Sequence, residues 1–175
     1  MKKTMKRSLA LGALMAFVIT GSAMAGNIGL TTVNGKVEKV NPSGKFTVGT
    51  DGDVVKIQSF SHGISLIEAK DFGEVWGKNI TIDAGNNNSS RGLQIAFGAN
   101  MHMGNSNTEQ ISIKTGGDIG VFVLKAHTEF NGDTLIIEAP AAGATGIHVA
   151  NNTTDSQEQN LASVNINTNN TFTSL

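Results

Sequence analysis

One short pattern returns four times: HGISL at His62, RGLQI at Arg91, IGVFV at Ile119 and TGIHV at Thr145. Its glycines, Gly63, Gly92, Gly120 and Gly146, stand 29, 28 and 26 residues apart. Each precedes a period-two apolar couple: Ile64/Leu66, Leu93/Ile95, Val121/Val123 and Ile147/Val149. Alternation of this kind marks a strand buried on one face. A second strand keeps the same frame in NITIDA, QISIKT, TLIIEA and SVNINT, its first apolar residue standing 17, 19, 15 and 18 residues after the glycine. Its apolar pairs are Ile80/Ile82, Ile111/Ile113, Leu135/Ile137 and Val164/Ile166. A weaker third landmark is Ala69, Ala99, Ala126 and Ala150, followed by Phe72, Met101 with Met103, and Phe130. It predicts a third short strand whose apolar residues face inward.

A unit of under about thirty residues cannot bury an apolar face alone, whereas stacked copies can. Each strand then pairs with its equivalent one coil away, and like residues form rows along one axis. A glycine at a fixed place allows a sharp bend or a positive φ. The fold expected is all-β: a parallel right-handed β-helix, or β-solenoid, of about four coils over residues 63–175. An antiparallel sandwich gives no reason for phase-locked glycines, and the leucine-rich frame is absent.

Residues 26–62 are less regular. Asn34-Gly35, Pro42-Ser43-Gly44 and Asp51-Gly52 separate three apolar strands. Phe46 to Val48 comes too early for the second strand of the frame, and Val54 to Phe60 adds another. The segment reads as N-terminal cap strands with hairpin character, which a solenoid needs over its bare edge. At the other end the chain closes on NTFTSL. This predicts either a truncated fragment of something longer or end-to-end self-association.

Residues 1–25 read as a signal peptide. MKKTMKR supplies the basic start, Leu9 to Ile19 the apolar centre, and Ala23 and Ala25 the small-residue exit. The apolar run is shorter than the roughly 20 residues of a membrane span. Of 13 basic residues, Lys2, Lys3, Lys6 and Arg7 lie in this leader, leaving nine against 14 acidic, a net charge of −5. That charge excludes nucleic acid as a partner, since it requires clustered Lys and Arg. There is no cysteine, so neither disulfides nor Cys-type metal sites are available. Asparagine-rich runs such as GNNNSS and GNSN fall between the alternations, where turns belong.

No residue qualifies as catalytic, cofactor-binding or metal-ligating. His62, His102, His127 and His148 occupy different registers, with His102 and His127 within about a coil of each other. Asp51 and Asp53 in TDGDVV resemble half of a calcium loop but lack the closing ligands. GGDIG, Gly116 to Gly120, departs from the calcium-binding nonapeptide frame. Both read as turns. Asp83, Lys114 and Glu138 share one register and form a charge ladder rather than an acid/base pair. Arg91 and Trp76 stand singly on expected loops.

The leader MKKTMKRSLALGALMAFVITGSAMA, the recurring G-[ILV]-x-[ILV] and the ITIDAG-like strands resemble the beginning of a bacterial autotransporter passenger domain. That family's C-terminal β-barrel has no counterpart among the 175 residues. The resemblance implies an exported Gram-negative envelope or extracellular protein of structural or adhesive role. Its partners would be host or cell-surface glycans or proteins, with no cofactor and no integral membrane span. A β-helical polysaccharide-cleaving enzyme and a fragment without independent function are the alternatives.

Overall fold

The computed structural model describes residues 27–38, 40, 44–151 and 162–175, and all its regular structure is strand. The expected signal peptide, residues 1–25, lies outside the described residues. The described chain begins with β1 (Asn27–Ile28), β2 (Leu30–Val33) and β3 (Lys36–Glu38). It then winds, three strands to a coil: β4 (Lys45–Val48), β5 (Val54–Gln58) and β6 (His62–Leu66), then β7 (Phe72–Val75), β8 (Asn79–Asp83) and β9 (Arg91–Ala96). Next come β10 (Asn100–Met103), β11 (Gln110–Lys114) and β12 (Ile119–Leu124). The long β13 (His127–Glu138) serves two faces, β14 (Thr145–Ala150) the remaining one, and β15 (Ser163–Ser174) again two. The product is a parallel β-solenoid of about four turns.

The rows expected from the repeat are present. On the first face Ile64, Leu93, Val121 and Ile147 lie in parallel register, as do Leu66, Ile95, Val123 and Val149. On the third face Val55, Ile80, Ile111 and Leu135 form one row and Ile57, Ile82, Ile113 and Ile137 another. The second face carries Phe46, Gly73, Met101, Thr128 and Val164, beside Val48, Val75, Met103, Phe130 and Ile166. The rows converge on one core in which Ile64, Leu93, Val121, Ile82, Ile113 and Phe130 are wholly buried. Removing each such side chain from water contributes roughly 1.5–3 kcal/mol.

The recurring glycines have a different cause from the one expected. Gly63, Gly92 and Gly120 sit inside strands and none has a positive φ. What they lack is room. A Cβ on Gly92 would stand 2.1 Å from Cγ2 of Ile113 and 2.7 Å from the carbonyl oxygen of Gly120. Gly63 meets Ile82 and Gly120 meets Ile137 in the same way, at 2.2 and 2.4 Å. The glycine row is where the first and third faces touch.

Four further expectations are corrected. Val164 and Ile166 pair with Thr128 and Phe130 on the second face, not with the isoleucine rows of the third. The connection from β14 to β15 spans residues 151–162, longer than the Leu124-to-His127 connection one coil earlier, so the frame resumes late. In the last coil the third face is supplied instead by Thr171 to Ser174. Phe72 points outward, and Gly73 and Val75 face in. The small-residue corner row runs through Asp71, Ala99 and Ala126, whose carbonyls accept from Asn100, His127 and Ser163 at 3.0, 3.1 and 2.9 Å. Ala69 is exposed and Ala150 pairs with Leu124 at the end of β14. Asp71 fits that buried row because Oδ2 accepts the amides of Ile67 and Glu68, at 2.9 and 3.1 Å.

The start of the winding also differs in register from the sequence frame. β4 pairs parallel with β7, and β5 with β8, so residues 45–58 already lie in the coil. The antiparallel pieces are β2 with β3, β2 on β5 and β1 on β6. They cover two of the three faces with strands of opposite direction, which interrupts the parallel ladder there. Asn34 and Gly35, at φ 47° and 78°, make the tight β2–β3 turn, the conformation Asn-Gly favours.

Gly92→Ala is expected to lower stability by about 1–3 kcal/mol through overpacking. Gly52→Ala adds a methyl with nothing within 4 Å and should stay within about 0.5 kcal/mol. Thermal melts followed by circular dichroism compare the two, and equal melting temperatures would refute the close approach.

Candidate functional surface

Outward side chains also form rows, and their chemistry differs by face. On the third face Lys114 lies in register between Asp83 and Glu138, as the sequence indicates. Its Nζ is 3.9 Å from Glu138 Oε2, with both side chains well solvated. Such a pair contributes about 0.2–1 kcal/mol. The ammonium stands between two carboxylates about 9.6 Å apart, two rungs of the ladder.

The second face carries a row that the sequence reading missed: Thr47, Glu74, His102, Glu129 and Asn165. The Thr47 hydroxyl donates to Glu74 at 2.9 Å. His102 Nδ1 lies 3.3 Å from Glu129 Oε2, and the Asn167 amide donates to Glu129 Oε1 at 3.0 Å. The outward-turned Phe72 ring packs on His102 at 5.4 Å between centroids. The signal was available: in FGEV, NMHM and HTEF the third residue is Glu74, His102 and Glu129. Only the correct frame for the third strand brings them together. His127 lies one coil beyond His102 and in a different row. It pairs with Asn100, and its Nδ1 is 2.6 Å from the Ser163 hydroxyl.

The corner between second and third faces gathers the turn residues. Asp51 accepts from the amides of Asn105 and Asn107 at 2.5 and 3.1 Å. Asp53 accepts from the Thr50 amide at 2.7 Å, from its hydroxyl at 2.9 Å and from Asn34. The Thr50 backbone N–H, then its hydroxyl, hold the Asp53 carboxyl below its usual value of 3.8. Asp51 thus ties two coils together, while Asp53 closes its own turn and holds the β2–β3 turn at Asn34. Gly116 and Gly117 pass against Asn86 and Ser90 at the opposite corner, where a Cβ would meet atoms at 2.6 and 2.2 Å. Among the described residues no group of three or more His, Asp or Glu is placed to hold a metal ion. None of their elements is a helix long and apolar enough to cross a membrane.

The first face differs from both. Arg91 is not on a loop: it opens β9, with His62 one rung before it and Ile119 one rung after, and its guanidinium reaches the neighbouring outward row. The neighbouring outward row is Ser65, Gln94, Phe122 and His148. The Arg91 guanidinium carbon lies 4.0 Å from the centre of the Phe122 ring, and Nη1 donates to Gln94 Oε1 at 2.9 Å. The His148 ring packs on Phe122 from the next rung, 5.5 Å between centroids. Nδ1 of His62 and Nε of Arg91 are buried without hydrogen-bond partners. Trp76 lies elsewhere: it follows β7, and its amide donates to Val48 at 2.8 Å. The chain matches no protein-family model, no curated protein and no solved structure.

Burial, and secondarily the Arg91 charge, push the His62 pKa below its ordinary 6.5. The folded state therefore holds this proton less tightly than the unfolded one. Between the lowered value and 6.5 the unfolded chain binds more protons, so this contribution is present above 6.5 and lost as pH falls through the window. The melting temperature is expected to drop between pH 7.5 and pH 5, and to drop less in His62→Gln. An identical pH dependence in both proteins would contradict the assignment. On the third face, Lys114→Glu stacks three carboxylates and should cost about 0.5–1 kcal/mol. That cost should shrink in 1 M salt, as urea unfolding at two ionic strengths will report.

Proposed function

We propose that this chain is an exported β-solenoid of the Gram-negative cell surface or extracellular space, with a structural or adhesive role, similar to the start of an autotransporter passenger. The observation that carries the reading is the rung-to-rung use of outward polar groups. Glu74 is held by Thr47, Glu129 by His102 and Asn167, Glu138 by Lys114, and Asp51 by Asn105 and Asn107. Carboxylates committed to neighbouring coils stiffen a rod more readily than they transfer protons. The basic-apolar-small leader and the absence of cysteine support export. In this reading the partners are host or cell-surface glycans or proteins.

A second reading, cleavage of polysaccharide, draws on the Glu74–His102–Glu129 row. It requires one glutamate to give up its present partners to a glycosidic oxygen.

Two measurements decide. The full chain, expressed in a Gram-negative host, should yield a product whose mass corresponds to cleavage after Ala25, in the periplasmic, surface or extracellular fraction. An uncut cytoplasmic product would defeat the export reading. The purified processed chain is then incubated with pectins and neutral and acidic glycans, and new reducing or unsaturated ends are assayed. None is expected. Release that Glu74→Gln or Glu129→Gln abolishes would replace the adhesive role with an enzymatic one.

A further inference from the structure

The strands of the first face, HGISL, RGLQIA, IGVFVL and TGIHVA, contain no aspartate or glutamate. The second face carries Glu74 and Glu129 and the third Asp83 and Glu138. An acid-free face on a chain with 14 acidic residues leaves its cations uncompensated. The chief cation is Arg91, one of two arginines in the chain, the other being Arg7 of the leader. Half-buried guanidinium groups ordinarily find a carboxylate. Arg91 has a ring beneath it and an amide oxygen beside it, but no ion pair among the described residues. Asp118, which borders the face just ahead of β12, makes none with it either.

The same residues supply a platform. Arg91, Phe122 and His148 stack in series across three rungs of a rigid sheet, and His148 is exposed. A flat ring system beside a fixed, uncompensated guanidinium fits a ligand with an apolar face and an isolated anionic group. Nucleic acid does not fit, because its phosphates call for clustered cations and this face offers one guanidinium. We propose that the outer surface of the first face binds an acidic glycan chain, Arg91 engaging a uronate-type carboxylate while a sugar ring packs against His148 and Phe122. This rests on the adhesive reading above and adds the face and the ligand class.

The test titrates the purified processed chain, by calorimetry, with three probes: an oligogalacturonate, a neutral galactan oligomer and a sulfated galactan oligomer. Saturable binding of the uronate is expected, weakened by salt, with the neutral oligomer binding at least about tenfold more weakly. Arg91→Gln should lose about tenfold or more in affinity. Lys114→Gln, on the third face, should bind as the parent does. Should Arg91→Gln fail to fold, His148→Ala, at an exposed position, carries the test through a reduced affinity and an unchanged melt. Equal affinity for uronate and neutral oligomers, or full affinity in both first-face variants, overturns the proposal. So does binding of the sulfated oligomer without the uronate, which assigns the face to sulfate esters. Binding of none overturns it as well, while export and the absence of cleavage would leave the broader reading standing.

Discussion

Gly63, Gly92 and Gly120 each receive the β-branch methyl of a third-face isoleucine, and that contact sets how closely the first and third faces approach. Ile82, Ile113 and Ile137 each direct Cγ2 to where the Cβ of Gly63, Gly92 or Gly120 would be. The glycine carbonyl of the next coil closes the same space, 2.6 to 2.7 Å from that point. Backbone and side chain meet there with no slack, and protein interiors tolerate little. Leucine in place of those isoleucines lacks a branch at Cβ and leaves the gap unfilled. The contact therefore asks for two residue types at once, glycine on one strand and isoleucine on another, and asks for them three times in succession. Strand β-propensity favours isoleucine independently, so local and tertiary preferences agree.

The second face has no such uniform rule. Its rows trade volume from coil to coil. A Cβ at Gly73 would touch Phe46 Cζ at 2.6 Å and Met101 Sδ at 2.7 Å, so two large side chains share the space a missing one vacates. Phe130 is wholly buried one coil beyond Met103 in the neighbouring row. Methionine adapts to such irregular gaps better than a branched residue does. Thr128 is buried with its hydroxyl unpartnered, as is one carboxylate oxygen of Asp71.

This contrast explains what could be read from sequence. Through most of the coils the first and third faces use one residue class, branched aliphatics, at matching places, so their spacing shows in the chain, and the rows from Ile64 to Val123 and from Ile80 to Ile137 follow from it. The second face compensates volume across coils, so Phe46, Gly73, Met101 and Thr128 share a row without sharing a type. Apolar alternation alone cannot say which of two strand faces SVNINT joins, and the long connection before it removes the spacing that would decide. Phe72 misled because a large apolar residue at a strand start suggests the core, whereas in β7 the pleat gives the inward places to Gly73 and Val75. With that frame uncertain, the Glu74, His102 and Glu129 row was invisible. The glycine positions were legible while their cause was not: sequence shows where a side chain is absent, but not whether conformation or a neighbouring atom forbids it.

Stacking also constrains the outside. A parallel ladder puts like positions about 4.8 Å apart, and two like unit charges at that separation repel by about 1 kcal/mol even in water. A row of one sign along several coils would accumulate that cost. The third face avoids it by alternation, Asp83 to Lys114 to Glu138, and the second by setting His102 between Glu74 and Glu129. The first face avoids it by scarcity. It holds a single guanidinium, with His62 on one side, kept preferentially neutral by burial and by that same charge, and Phe122 packed beneath it. A neutral imidazole beside a cation is a second consequence of the missing carboxylates, since an acid in that row would favour its protonation. Acidic groups thus have polar or basic neighbours along two faces, while the first face holds one guanidinium with no ion pair among the described residues. That division turns three geometrically similar sheets into surfaces with different capacities for recognition.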